Sequence, residues 1–333
     1  MKFPRRHFLR LAATGLALPA VARLAQAQAQ AQAQAYPSRP ITMLVSFPAG
    51  GANDAIARIV AEPLRVALGQ PIIIENVGGA DGSVGVGRLA RARPDGYTVC
   101  LGIDTAFVHN GAYYSLSYDL INDFEPITPV ATAATILVAR KDLPAGNLPE
   151  LIAWTKANPD KVSAGMNALA FRLVAVRLQR ETGAQFAIVP YRAAPSMLTD
   201  LIAGRLDLAF GTLTSHGPNV RAGNYKALAL GADQRAALVP ELATYAEQGF
   251  PALTYANWYG LFAPKGTPKE IVTRLNAATA EALNDPATRT RLANGGFEPF
   301  PAERQTPETL AALQKADAAR WWPIIKELGL KAE

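Results

Sequence analysis

The chain has 333 residues, half of them apolar, with 33 basic and 27 acidic side chains and a net charge of +6. That excess sits in residues 1–35, which hold Lys2, Arg5, Arg6, Arg10 and Arg23 and no acid. The 33 less those five leaves 28 basic against 27 acidic residues, a net of +1. A near-neutral balance excludes nucleic-acid binding driven by charge, and the remainder is long enough for one large or two medium domains with real cores.

Residues 1–35 read as an address rather than as fold. A basic start with the pair Arg5-Arg6 followed by Phe8-Leu9 leads into an apolar stretch, 11–21, broken by Gly15 and Pro19. It is too short and interrupted to span a bilayer. An Ala-Gln repeat over 25–35 offers several small-residue cleavage registers. The expectation is a twin-arginine export signal and a periplasmic, soluble mature protein. Cys100 is the one cysteine. It stands in a strand-like run and is expected to be a buried small hydrophobe.

The run 41–45 reads as a buried strand of a parallel sheet. It ends at Phe47, Pro48, Ala49 and the pair Gly50-Gly51, after which Asn53 or Asp54 can cap a helix with apolar face Ile56, Ile59, Val60 and Leu64. Pro63 predicts a kink or break in it. A strand, glycine turn and helix aim free N–H groups and a positive helix end into one crevice, which suits a carboxylate or phosphate. The competing reading is a tight turn without a ligand.

A second strand over 71–76, a glycine-rich loop with Gly82 and Ser83, a helix over 84–92 and a third strand over 97–103 continue the alternation expected of an α/β fold. Asp104 and Thr105 stand at the carboxyl end of that third strand, where open α/β sheets bind ligands. Asp104 is thus a pocket candidate for an amine or hydroxyl, or else a cap or turn residue. Two apolar pieces within 124–140, parted at Thr128-Pro129, mark a first crossing between lobes. Helices are expected over 148–158, 169–181 and 194–203, and strands over 162–165, 186–189, 206–210 and 225–231. Met166, Asn167 and Ala168, then Pro190, Tyr191 and Arg192, then Gly211 and Thr212 fall at strand ends. The return crossing is placed at 255–264, followed by helices over 268–283, 286–294 and 307–328.

Catalytic chemistry finds little support. His7, His109 and His216 are the only histidines, none at metal-ligand spacing, and no cysteine partners them. Ser215 and His216 are sequence neighbours, a poor arrangement for a nucleophile and its base, and no phosphate loop occurs. Gly85-Val86-Gly87 with Ala90 imitates a dinucleotide fingerprint, but about ten residues separate it from the preceding strand, out of the motif's context. A nicotinamide or flavin enzyme therefore stands as a minor alternative, and no cofactor or metal is expected.

A set of motifs carries a family resemblance: Tyr36-Pro37-Ser38-Arg39-Pro40, Phe47-Pro48-Ala49-Gly50-Gly51 with Asp54, Leu68-Gly69-Gln70, Glu75-Asn76, Pro94-Asp95-Gly96-Tyr97, Tyr118-Asp119, Asp123-Phe124, Pro190-Tyr191, Asp207 and Trp258-Tyr259-Gly260 running on to Pro268. The mature chain resembles, end to end and in order, the Bug proteins, solute receptors of tripartite tricarboxylate transporters. The resemblance implies a two-lobed, type II-like periplasmic binding protein fold, with lobe I at 36–133 and 259–333 and lobe II at 134–258. It also implies a small organic acid held largely by backbone groups, hinge closure over it, delivery to a membrane permease, and a monomer without catalytic activity. A sensory adaptor using the same closed state is the alternative.

The site it implies comprises Phe47, Pro48, Ala49, Gly50, Gly51, Asn53, Asp54, Gly82, Ser83, Asp104 and Thr105 from one lobe. The other lobe would supply Met166, Asn167, Ala168, Pro190, Tyr191, Arg192, Gly211 and Thr212. Two departures from the family pattern stand out. The loop before the helix at 169 is shorter and more apolar, so Met166 and Phe171 would favour an aromatic acid. Asp104 stands where small hydroxyl residues are usual and would favour an amino or hydroxy acid over a further carboxylate. Arg172 or Arg192 would pair with a carboxylate or remain solvated surface charges.

Overall fold

The computed structural model describes residues 36–159, 161–191 and 194–331; the export signal read in 1–35 and the candidate Arg192 lie outside the described residues. In chain order the elements of the first half are β1 (Ile41–Val45), α1 (Ala52–Leu68), β2 (Ile72–Asn76), α2 (Ser83–Ala90), β3 (Thr98–Ile103), a π-helical turn (Thr105–His109) and α3 (Asn110–Tyr113). Then follow β4 (Phe124–Arg140), α4 (Leu148–Ala157), β5 (Ser163–Met166), α5 (Leu169–Thr182), β6 (Ala187–Pro190), α6 (Ala194–Ile202), β7 (Leu208–Thr212), α7 (Leu213–Arg221) and β8 (Tyr225–Gly231). The chain closes with β9 (Ala256–Pro264), α8 (Lys269–Asn284), α9 (Pro286–Asn294), β10 (Glu298–Pro299) and α10 (Pro307–Glu327).

β1 is buried on both faces, as its run of apolar residues, broken only by the half-buried Thr42, demands. Met43 and Val45 enter one core with Ile56, Val60 and Leu64, whereas Leu44 enters another with Val86, Leu89 and Cys100. β2 and β3 flank β1 in parallel. In the second half β5 lies between β6 and β7, again in parallel. The strand order β2-β1-β3-β9-β4-β7-β5-β6 joins the halves through β9 and β4. β4 is one strand of 17 residues rather than two pieces. Its residues 124–134 pair with β9 and its residues 135–140 with β7 and β8, so the strand changes partners at Ala134 and Thr135. Its register shifts against β9 fall beside Pro126 and Pro129, which have no N–H for the ladder, and a further shift against β8 falls between Leu137 and Val138.

α10 ties the halves together a third time. Leu310 and Ala318 pack in the first half's core, whereas Trp321 and Ile325 pack with Leu169, Phe171 and Ala175 of the second. Arg320 donates to the carbonyls of Ala252 and Thr254.

Two local expectations change, and one helix forms that sequence reading had not placed. α1 runs unbroken through Pro63, because Ile56, Val60, Leu64 and Leu68 are buried on either side of it. That packing offsets the roughly 3 kcal/mol a helix-interior proline costs. Gly51, not Asn53 or Asp54, is the N-cap residue. α7 forms despite Gly217 and Pro218, nucleated by Thr212, whose hydroxyl accepts from Ser215 N. The glycines that imitate a dinucleotide fingerprint serve packing: a Cβ on Gly85 would lie 2.8 Å from the Val77 carbonyl and 2.9 Å from Ser46 Cα. Cys100 is fully buried, and burial pushes its thiol pKa far up.

β3 ends under an aromatic stack. The Phe107 and Phe262 rings lie parallel with centroids 3.9 Å apart, and a Cβ on Gly102 would sit 2.0 Å from the Phe107 ring. Gly102→Ala is therefore expected to cost about 1–3 kcal/mol through overpacking. Urea denaturation checks it, and an unchanged midpoint would mean that the ring is free to move aside.

Candidate ligand-binding cleft

The carboxyl ends of the parallel strands from both halves open on one cleft of about 750 Å³. The first half contributes Phe47 to Asn53 after β1, Gly79, Asp81 and Gly82 after β2, and Ile103 and Thr105 at the end of β3. The second half contributes Asn167, Ala168, Ala170 and Phe171 after β5, Ala194 and Pro195 at α6, and Thr212 at the end of β7. Asn257 and Tyr259 of β9 complete the lining beneath.

The first-half turn is built by local hydrogen bonds. Gly50 has φ +84°, a conformation that costs other residues about 1–2 kcal/mol. Its N–H donates to Asp54 Oδ2 at 2.9 Å. Arg58 Nε donates to the same oxygen and holds the Asp54 carboxyl below the usual range. Asn76 donates to the Phe47 carbonyl. Gly82 has φ +92°, and a Cβ there would lie 2.9 Å from the Phe47 ring, so the glycine loop and the first turn press together.

The donors the arrangement offers an anion are backbone groups rather than cationic side chains. α1 starts from Gly51 and α5 from Ala168, both in the lining, and neither helix has a side-chain cap. Each end leaves first-turn N–H groups without intrahelical partners and carries partial positive charge. Two such ends, one from each half, meet one cavity, and among the described residues no Lys, Arg or His lines it. This is a place for an anion held by N–H groups.

Of the residues expected at the site, the cleft gathers Phe47, Pro48, Ala49, Gly50, Gly51, Asn53, Gly82, Thr105, Asn167, Ala168 and Thr212. Asp54 lies behind the turn it stabilises. Ser83 is buried and accepts a hydrogen bond from Asn110. Met166 is buried in the second core. Tyr191 turns to Asp200, donating its hydroxyl at 2.8 Å. Pro190 is the exposed last residue of the edge strand β6. A Cβ on Gly211 would meet His216 Nε2 at 2.3 Å, so its role is to admit that ring. Asp104 is fully buried and not part of the lining. Sequence reading had not placed Asp81, Asn257 or Tyr259 in the site. The one signal for the last two was that the strand crossing between lobes must pass beneath any cleft between them.

A model described as the tripartite tricarboxylate transporter family receptor matches residues 56–330. The chain belongs to this family. BugT of Bordetella pertussis is 33% identical over 96% of this chain and 95% of its own length. MatC of Rhodopseudomonas palustris with bound malate is 32% identical, superposes with a TM-score of 0.75, and covers 87% of this chain and 100% of its own. A further R. palustris protein, solved with adipate, is 32% identical with a TM-score of 0.78, over 88% of this chain and 98% of its own. The fold is that of the two-lobed periplasmic binding proteins, and the family role is that of a solute-binding receptor, not an enzyme.

In this receptor Asp104 ties the end of β3 to the start of β9. Its carboxylate accepts from Tyr255 Oη at 2.7 Å, Asn257 Nδ2 at 3.1 Å, Thr105 N at 2.6 Å and Trp258 N at 3.3 Å. Trp258 Nε1 in turn donates to Asp317 of α10. Burial pushes the Asp104 carboxyl up to about 6, against the pull of these donors. A folded-state value above the ordinary 3.8 means that the folded chain keeps a proton the unfolded chain releases. The stability this confers is full below pH 3.8 and is lost as pH rises through 6. Buried His109 and His216 are both pushed down to about 4, so their contribution is full above 6.5 and lost as pH falls through 4. Asp104→Asn keeps one acceptor but turns an NH₂ toward donors, and is expected to cost about 2–4 kcal/mol at neutral pH. Removing the opposing term should also steepen the loss of stability between pH 6 and pH 4. Guanidinium denaturation across that range measures both, and an unchanged slope would show that Asp104 does not titrate there.

Proposed function

We propose that this receptor captures a small organic carboxylate between its lobes in the periplasm and delivers it to the permease of a tripartite tricarboxylate transporter. Lobe I would comprise 36–133 and 259–333 and lobe II 134–258, with α10 reaching across and the protein acting as a monomer. The observation that carries the reading is the pair of uncapped helix N-termini, from α1 and α5, on opposite walls of one cleft. Relatives of the same fold hold malate and adipate. β4, β9 and α10 connect the halves, which suits a hinge motion that buries the ligand.

Thermal-shift screening of the purified protein against mono-, di-, tri- and amino-carboxylates tests this reading, with NAD and FMN as controls. A ligand at 100 times its Kd adds about 2.7 kcal/mol of stability, a clear rise in melting temperature. Silence from every acid would overturn it. Gly51→Val should lower the affinity for a bound acid at least tenfold while leaving the fold intact: φ at Gly51 is −85°, and a Cβ there meets only the Pro48 carbonyl at 3.6 Å. Normal affinity in that variant would remove the first turn from the site. Export is tested separately. Replacing Arg5 and Arg6 together with Lys should retain the chain in the cytoplasm, as cell fractionation would show.

A further inference from the structure

We propose that the cleft selects a monocarboxylate that also carries an ammonium group, and that Asp81 receives the ammonium. The inference rests on the carboxylate-receptor reading and narrows its ligand class. Asp81 is the only charged side chain among the described residues lining the cleft. Its Oδ2 accepts from Tyr114 Oη at 3.0 Å, and among the described residues no cation pairs with it. Oδ1 is left for another donor.

The backbone holds this carboxylate in place. Asp81 has φ 48° and ψ 37°, a left-handed conformation tolerated by few side chains. Asn110 Nδ2 bridges the Asp81 carbonyl at 3.0 Å and Ser83 Oγ at 2.8 Å. Strain of this kind persists where surrounding contacts over-determine it, commonly at ligand clamps. A second acceptor lies in the same lining: Asn53 is 4% exposed and its Oδ1 has no partner. The helix ends supply donors for one carboxylate, whereas Asp81 and Asn53 Oδ1 call for a donor from the ligand. A second carboxylate in a partly desolvated cleft would face Asp81 as a like charge, which disfavours it. Asp104 does not play this part, because four donors already satisfy it away from the cavity.

Isothermal titration of the purified protein with length-matched probes decides the matter: succinate, 4-aminobutyrate and 2-aminobutyrate, then adipate and 6-aminohexanoate. The expected result is at least a tenfold preference for an amino acid over its matched dicarboxylate. Asp81→Asn and Asp81→Gly should each erase or reverse that preference. Glycine suits the left-handed backbone, so the second variant keeps the loop. Tighter binding of the dicarboxylates by the unsubstituted protein, or an unchanged ratio in both variants, would overturn the assignment and leave the carboxylate receptor standing. Failure of all five probes to bind would overturn the assignment, and the wider carboxylate screen then decides the receptor reading.

Discussion

One buried carboxylate sets the relation between the halves. Asp104, at the end of β3, takes hydrogen bonds from Tyr255, Asn257 and Trp258, where the chain returns from the second half. A charge taken out of water is tolerable only when donors surround it, and removing one partner leaves an uncompensated group. The junction of β3 and β9 is therefore held to one geometry. Asn257, which holds Asp104 from one side, lines the cleft with the other. The buried cluster around Asp104 and the lining of the cleft thus share a residue. Asp317 on α10 extends the network through Trp258, which brings the third connection between the halves into the same cluster.

The cleft above this junction follows from parallel sheet construction. Strand carboxyl ends feed helices whose first N–H groups have no partner within the helix. When two such sheets face each other across crossing strands, their helix ends oppose each other over one space. The receptor needs no arginine clamp to attract an anion under this plan, and none lines the cleft among the described residues. What distinguishes one member of such a family from another is then the few side chains that interrupt the backbone surface. Here these include Phe47, Asn53, Asn167, Phe171, Asn257 and Asp81, and among the described residues only Asp81 is charged.

Much of the fold was legible in the residues. The run at 41–45, the glycine turn after it and the alternation of strand and helix specify local structure by side-chain period and backbone freedom, both of which are written in the chain. Most elements fall within two or three residues of their expected bounds. The misses share a cause. Pro63 in α1 and Pro218 in α7 oppose a helix locally, and only burial of the flanking face overrides that. The π-helical turn at Thr105–His109 answers to the aromatic stack of Phe107 on Phe262, a contact 155 positions apart that no local period announces.

By itself the sequence determined the α/β class, the strand-end loops that could meet a ligand, and the likeness to a receptor family. Each depends on neighbours along the chain or on motifs in order. Tertiary structure alone decided which of those loops share one space. Met166, Tyr191 and Gly211 sit at strand ends as surely as Asn167 and Thr212 do, yet they turn into cores, to Asp200 or against His216. It also exchanged two aspartates: Asp104, the one sequence reading put forward, is drawn into a buried cluster because donors from a segment some 150 residues away converge on it, while Asp81, which sequence reading passed over, is left on the wall of the cleft. The physical reason is that burial and hydrogen bonding depend on distances between remote segments, and those distances exist only once the two halves have packed.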